Sequence, residues 1–375
     1  MTTVTEKTLR IERFAKEIGF DGFGVTREVP TQSVEKYKNW LSLGYEGEMS
    51  YMRRNVEKRS NLDLVLSGVK SVVCLRTNYL TADKGMEFVN DKEHGDISLY
   101  ALNEDYHDVL VQRHRKLEDK IKKEFIGCQT KPYVDTGPIL EKSLAKNAGL
   151  GWIGKHTNLI TESVGSYYFL SEILVDADME PSEPSLDKCG TCRSCIDICP
   201  TQAIVAPYIL DSRKCISYLT IELKGVIPLE FRKAIGNHIY GCDDCQIVCP
   251  WNSFAVKTDE ESFRARDGSF QLIELMRLDD EAFRKRFKNS PVKRTKRRGL
   301  LRNVAVALGN SDDPFAVSPL IDALSDHEPL IRAHVVWALG ELIGEKALPI
   351  LNKNLKNEEE QIVKDEINLV RQNYS

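Results

Sequence analysis

Apolar residues in the first half of the chain recur alternately at helical and strand spacings. Leu9, Phe14, Ala15 and Ile18 form one face of an amphipathic helix that Gly19 stops. Phe20 to Thr26 reads as a short strand, and Val72 to Leu75 as a buried strand after a glycine turn at Gly68. Residues 103–125 carry Val109, His114 and Leu117 along a helix, with Asn103 as its candidate cap. Tyr133, Val134 and Asp135 read as a strand end, followed by the turn Thr136-Gly137-Pro138 and a helix to about Ala148. Tyr167 to Val175 is a strongly apolar strand. Residues 1–178 therefore read as an α/β mixture.

The pattern breaks at residues 178–187, where two prolines and four acids mark a linker. A cysteine-rich stretch follows to residue 255. Beyond it the chain repeats itself: Val306-Ala-Leu-Gly309 returns as Trp337-Ala-Leu-Gly340, and Pro319 to Leu324 has a weaker echo in Pro349 to Leu355. Helix pairs of this kind are similar to HEAT-type repeats, although the spacing is shorter than their usual ~40 residues. With so few copies they must cap the rest of the protein. The expected organisation is an α+β multidomain chain divided into 1–178, 179–255 and 256–375.

Composition narrows the class. The chain has 375 residues, 42% hydrophobic and 29% charged, which is ordinary globular material. No apolar run reaches the ~18 residues of a membrane span, and Met1 to Lys16 lacks the features of a secretory signal, so a cytoplasmic protein is expected. Net charge is −4, yet Arg284 to Arg302 holds ten Lys or Arg and no acid, while Glu358 to Glu366 is acidic. The basic stripe is either a solvated helix face or the binding face for one phosphate-rich partner.

Eight of the ten cysteines lie between 189 and 249. In a reducing compartment such clustering means metal. Cys189, Cys192, Cys195 and Cys199 form C-x2-C-x2-C-x3-C-P, and Cys242, Cys245 and Cys249 form the same half-motif without its first cysteine. Three thiolates at two-residue gaps wrap three corners of one cubane, and the cysteine before proline ligates the other cluster. Cys215 can supply the missing ligand. One 4Fe–4S cluster then takes Cys189, Cys192, Cys195 and Cys249, and a second takes Cys199, Cys215, Cys242 and Cys245. Structural zinc does not explain this pair of half-motifs.

Other signals are weaker. Gly149-Leu-Gly151-Trp-Ile-Gly154 matches G-x-G-x-x-G, but a helical segment precedes it and a β-prone segment follows. A tight loop bringing backbone close to a large ligand fits better than a dinucleotide site. Asp105-Tyr-His107-Asp-Val-Leu110 nearly matches the D-x-H-x-x-G pattern that supplies a histidine to some cobalamins, but Leu110 replaces the glycine. Packing or polar support on the helix is therefore expected of His107. Asp135 could cap the following helix or, with a pKa raised by partial burial, donate a proton. Cys74 and Cys128 read as buried small hydrophobes.

Taken together, the chain resembles the epoxyqueuosine reductase family of cobalamin-dependent tRNA-modifying enzymes. The residues carrying this are Asn55 to Arg59, Asp135 to Pro138, Gly149 to Lys155, Ser217 to Lys224, Ile239 to Cys245, Cys249 to Asn252 and Leu301 to Asn310. The resemblance implies reduction of epoxyqueuosine at the wobble position of tRNA, with electrons reaching cobalamin through the two clusters. It implies Asp135 as proton donor, and cobalamin contacts at Lys58, Asn158, Cys242 and Asp243. It implies tRNA contacts at Lys224, Arg232, Lys293, Arg294, Lys296, Arg297, Arg298 and Arg302. A low-potential electron donor and a monomeric protein are expected. The alternatives are a cobalamin-dependent reductive dehalogenase and a two-cluster electron-transfer protein that docks through its repeats.

Overall fold

The computed structural model describes residues 3–265 and 270–374, so both ends of the chain and a short part of the 256–375 segment lie outside it. The first helix, α1 (Val4–Ile18), opens with a capping box in which Thr3 and Glu6 satisfy each other's backbone, and closes on left-handed Gly19. Four strands follow: β1 (Gly22–Thr26), β2 (Ser71–Asn78), β3 (Thr130–Tyr133) and β4 (Tyr168–Val175). Their order is β1-β2-β4-β3, and every pairing is antiparallel.

Both faces of β2 are buried, because each carries its own core. Val73 and Leu75 pack with Ile11 and Ala15 of α1 and with Leu110, Leu117 and Ile121 of α2 (Tyr106–Glu124). Val72 and Cys74 pack with Leu144 and Ala145 of α3 (Glu141–Asn147). Alternation along the strand thus assigns successive residues to opposite helical layers. The cap of α2 is Asp105 rather than Asn103: its carboxylate accepts from the His107 N–H, and Asn103 lies in the preceding loop. Cys74 is fully buried as expected, whereas Cys128 is half-buried.

The segment after Asp178 has no regular structure and runs along the first layers, with Glu180 N–H donating to Thr8 and Ser182 N–H to Val25 O. Beyond the cysteine stretch, helices α4 (Lys296–Asn310), α5 (Pro329–Ile343) and α6 (Gln361–Asn373) stack in order. Both α4 and α5 are buried on nearly every side. The recurring Ala-Leu-Gly has a packing reason. A Cβ on Gly309 would lie 2.9 Å from the Ala338 backbone, and one on Gly340 would meet Val370 at 3.0 Å. Each glycine lets the next helix approach. One core joins these helices to Ile216, Leu219, Ile235, Ile239 and Tyr240 of the cysteine-bearing stretch.

Candidate functional site

The cysteines gather into two sets. None of the ten forms a disulfide. Cys189, Cys192, Cys195 and Cys249 surround one small cavity, which Lys155 closes by donating to the carbonyls of Gly190 and Cys192 at 2.6 and 2.7 Å. Cys199, Cys215, Cys242 and Cys245 all border a larger cleft. The surroundings suit anionic metal–sulfur groups. The buried Trp152 Nε1 faces Cys189 and has no hydrogen-bond partner among the described residues, so it fits a sulfur acceptor. Buried His238 faces Cys242 while its ring nitrogens meet Asp96 at 2.8 Å and Asp244 at 3.3 Å.

The cleft has a volume of about 770 Å³ and apolar walls from Tyr100, Tyr106, Phe169 and Ile216. The same cleft is lined by an acid–base group. Asp135 sits in a left-handed turn (φ 58°) just past β3, half exposed to the cleft. His107 Nδ1 lies 2.7 Å from Asp105, and its Nε2 is 3.6 Å from Asp135 Oδ2. Lys293 completes the chain, 2.9 Å from Asp105. The neighbouring ring of Tyr106 stacks on His107 with centroids 4.1 Å apart. Asp135 does not cap the next helix; instead its own N–H donates to Glu141 Oε1 at 2.8 Å.

Protonation differs from the sequence expectation. Burial opposes the charge on Asp135, but His107 and Tyr106 outweigh it and hold the carboxyl below its ordinary value. Burial likewise works against a charged His107, yet Asp105 and Asp135 raise its pKa to about 9. The raised carboxyls are Glu141 and Glu172, each pushed up by burial first and then by neighbouring carboxylates. The sequence assigns neither to the site, since Glu141 and Glu172 lie on a helix and a strand that a hairpin separates. The Asp105-Tyr106-His107 sequence is visible, but its spacing points to support on the helix rather than to the site.

The predicted cofactor contacts divide. Cys242 and Asn158 border the cleft, and Asn158 Oδ1 accepts from Lys142 Nζ at 3.2 Å. Lys58 does not line it; it is exposed in a separate groove with Asn55 and Glu57. Its neighbour Arg59 turns inward and donates to Gly137 O and Ile139 O at 3.3 and 2.9 Å, holding the loop after Asp135. Asp243 is 1% exposed and its carboxylate is taken by Lys84 at 3.0 Å and by Ser98, which leaves its backbone, the part expected to meet the cofactor, as the group it can offer. The glycine loop is a hairpin, Trp152–Ile153 against Leu159–Ile160, whose glycines approach the chain's own backbone at Glu183 and Ile160. Unforeseen His156 borders both cavities. Its Nδ1 accepts from the Asn158 N–H, so its buried Nε2, which has no partner among the described residues, is a donor and not a metal ligand.

The basic stripe divides too. Lys224, Lys293, Arg294 and Lys296 are exposed, and Arg298 is half-buried. Arg294 borders the cleft and pairs with Glu222 at 2.7 Å. Three arginines expected to touch nucleic acid are instead internal. Arg232 pairs with Glu366 and is 1% exposed. Arg302 donates to the carbonyls of Leu219, Leu223 and Gly225. Buried Arg297 donates to Leu278 O and pairs with Asp326. Buried cations must be paired or hydrogen-bonded within the protein, and these are.

Comparisons with known proteins fit this arrangement. Residues 59–136 match the family model described as epoxyqueuosine reductase QueG, DUF1730. Residues 188–252 match a 4Fe-4S double cluster binding domain, and residues 295–370 match HEAT repeats. The epoxyqueuosine reductase of Escherichia coli (strain K12) is 40% identical over 349 residues, covering 92% of each chain. That of Xanthomonas campestris is 42% identical, covering 90% of this chain and 96% of the other. The chain belongs to the epoxyqueuosine reductase family. A crystal structure of an epoxyqueuosine reductase with an epoxyqueuosine-modified tRNA-Tyr stem loop superposes with TM-score 0.91 at 31% identity, covering 99% of both chains. The Bacillus subtilis epoxyqueuosine reductase, solved with its catalytic aspartate loop swung out of the active site, gives TM-score 0.86 at 29% identity over the full length of both. The expected fold, with a cluster module and a repeat cap, is therefore that of epoxyqueuosine reductases. Among the described residues, no helix is long and apolar enough to cross a membrane.

Proposed function

We propose that the chain reduces epoxyqueuosine to queuosine at the wobble position of tRNA, with electrons passing through two 4Fe–4S clusters to cobalamin held in the large cleft. One observation carries this reading: the same cleft is bordered by Cys199, Cys215, Cys242 and Cys245 and by Asp135 and His107. Removing the epoxide oxygen as water consumes two electrons and two protons and leaves an alkene. Bound cobalamin would supply a reduced cobalt centre for opening the epoxide. Asn158 and the backbone at Cys242 would contact it, and His156 Nε2 would offer it a donor.

The chain's own residues handle the protons. Asp135 is ionised at rest, while His107, with its pKa near 9, carries a proton 3.6 Å away. A proton passed to Asp135 Oδ2 would be delivered to the departing oxygen, with Lys293 and Asp105 fixing the imidazole. The loop bearing Asp135 is proposed to share the freedom to swing seen in its Bacillus relative. Lys224, Lys293, Arg294, Lys296 and Arg298 would hold phosphates of the anticodon loop, while the modified base enters the cleft. The proposed division into 1–178, 179–255 and 256–375 assigns cofactor binding, cluster binding and tRNA binding in that order. A low-potential donor would supply electrons to a monomer working in the cytoplasm.

The test is mass analysis of nucleosides from epoxyqueuosine-bearing tRNA incubated without oxygen with reconstituted protein, cobalamin and a strong reductant. The nucleoside should lose one oxygen atom only when cobalamin is present. Asp135→Asn should be slower by about 10²–10⁴-fold. An unchanged nucleoside alongside intact, reducible clusters would overturn the assignment.

A further inference from the structure

The loop that carries Asp135 is held by groups from other parts of the chain. Its left-handed backbone at Asp135 is a conformation that non-glycine residues adopt at a cost. Arg59 fixes the carbonyls of Gly137 and Ile139. The N–H of Asp135 itself is held by Glu141, the first residue of α3.

Behind Glu141 lies Glu172, in the middle of β4. Its register places it opposite Cys74 on one side and Tyr133 on the other, on the sheet face that α3 covers. Glu172 is 0% exposed, and neither of its carboxyl oxygens has a donor among the described residues. An ionised carboxylate there would be uncompensated. Its carboxyl neighbours that of Glu141, each opposing the other's charge, and two such buried groups cannot both be ionised. A single proton between them resolves the conflict, leaving one oxygen of Glu141 free to accept from Asp135.

We propose that Glu172 is a positioning residue for the Asp135 loop, acting through Glu141. The Glu172 O–H donates to one oxygen of Glu141. That bond orients the carboxyl so that its other oxygen meets the Asp135 N–H. Without the donor, Glu141 loses its fixed rotamer and the loop loses its inward latch. The inference deepens the proposed function and rests on Asp135 working from that loop.

Hydrogen exchange at the Asp135 amide tests it, read by peptide mass spectrometry on the full chain with its clusters. Glu172→Leu removes the donor and Glu141→Ala removes the acceptor. Glu172→Gln keeps a neutral donor. Exchange at Asp135 should rise about tenfold in the first two and stay near wild type in the third, as expected for losing one hydrogen bond to a charged group. The kcat for epoxyqueuosine-bearing tRNA should fall with it, while KM for tRNA and the cluster absorbance stay unchanged. Wild-type exchange in Glu172→Leu, or a Glu172→Gln as loose as Glu172→Leu, would overturn the proposal. Should Glu172→Leu not fold, unchanged exchange in Glu141→Ala would overturn it as well. The exchange measurement does not use the reaction, so an inactive wild type would count against the proposed function and leave this result standing.

Discussion

Replacing Arg232 by alanine separates a structural arginine from an RNA-binding one. Arg232 lies on the helix Leu229–Ile235, and its guanidinium meets both oxygens of Glu366 on α6, with Nη1 at 2.9 Å. Its Nε donates to Ile227 O at 2.8 Å, and the ring of Trp337 lies 5.5 Å from its centre. Glu366 is 5% exposed, so removing its partner leaves a carboxylate charge in the interior. Breaking a buried pair from one side costs about 3–5 kcal/mol. Most of that is the stranded charge, so Arg232→Met combined with Glu366→Leu should recover much of it. Urea unfolding followed by far-ultraviolet circular dichroism reads the loss. Binding of the tRNA stem loop at several salt concentrations reads the alternative, in which Arg232 neutralises a phosphate. An Arg232→Ala that unfolds like wild type while its salt slope drops by the ~0.7–0.9 expected of one lost phosphate contact would refute the structural role.

Lys224→Ala and Arg294→Ala should each lower that salt slope by about 0.7–0.9 and raise KM for tRNA without changing kcat. Cys215→Ser should cut iron and sulfide content by about half, and the remaining cluster should be lost when Cys189 is replaced as well. His107 has a folded pKa near 9 against an ordinary value of 6.5. The stability it lends is therefore complete below about pH 6.5 and disappears as pH rises through about 9. The melting temperature of wild type should approach that of His107→Gln across that window, and parallel curves would refute the assignment.

The cysteine sets were legible because cluster ligation is a matter of spacing and valence, and both survive in a one-dimensional reading. The strands were legible too, since Val72 to Leu75 and Tyr167 to Val175 have little but core to occupy. The basic stripe was not. Arg302 and Arg298 look alike in a list of charges, yet Arg302 is followed by Asn303 and lies among Leu300, Leu301, Val304 and Ala305 on a helix buried almost all round. A cation inside such a run has to serve as an internal donor, and that was the available signal. The ionisation of Asp135 could not be foreseen, because the His107, Tyr106 and Arg294 side chains that favour it come from other elements. Asn103 lost the cap to Asp105 by two residues, within the ordinary uncertainty of helix ends.

The core that joins the repeat helices to the second cysteine set bears on how such a protein can change. Arg302 and Asn303 hold the backbone of residues 219–225 and 239 from inside the cap, so the two regions are one piece of masonry. A cap borrowed from a distant relative would arrive without the matching seat. The tRNA-facing surface can drift through its exposed lysines. The scaffold beneath is shared with Cys215 and Cys242, and can be revised only by changing both sides of the joint together.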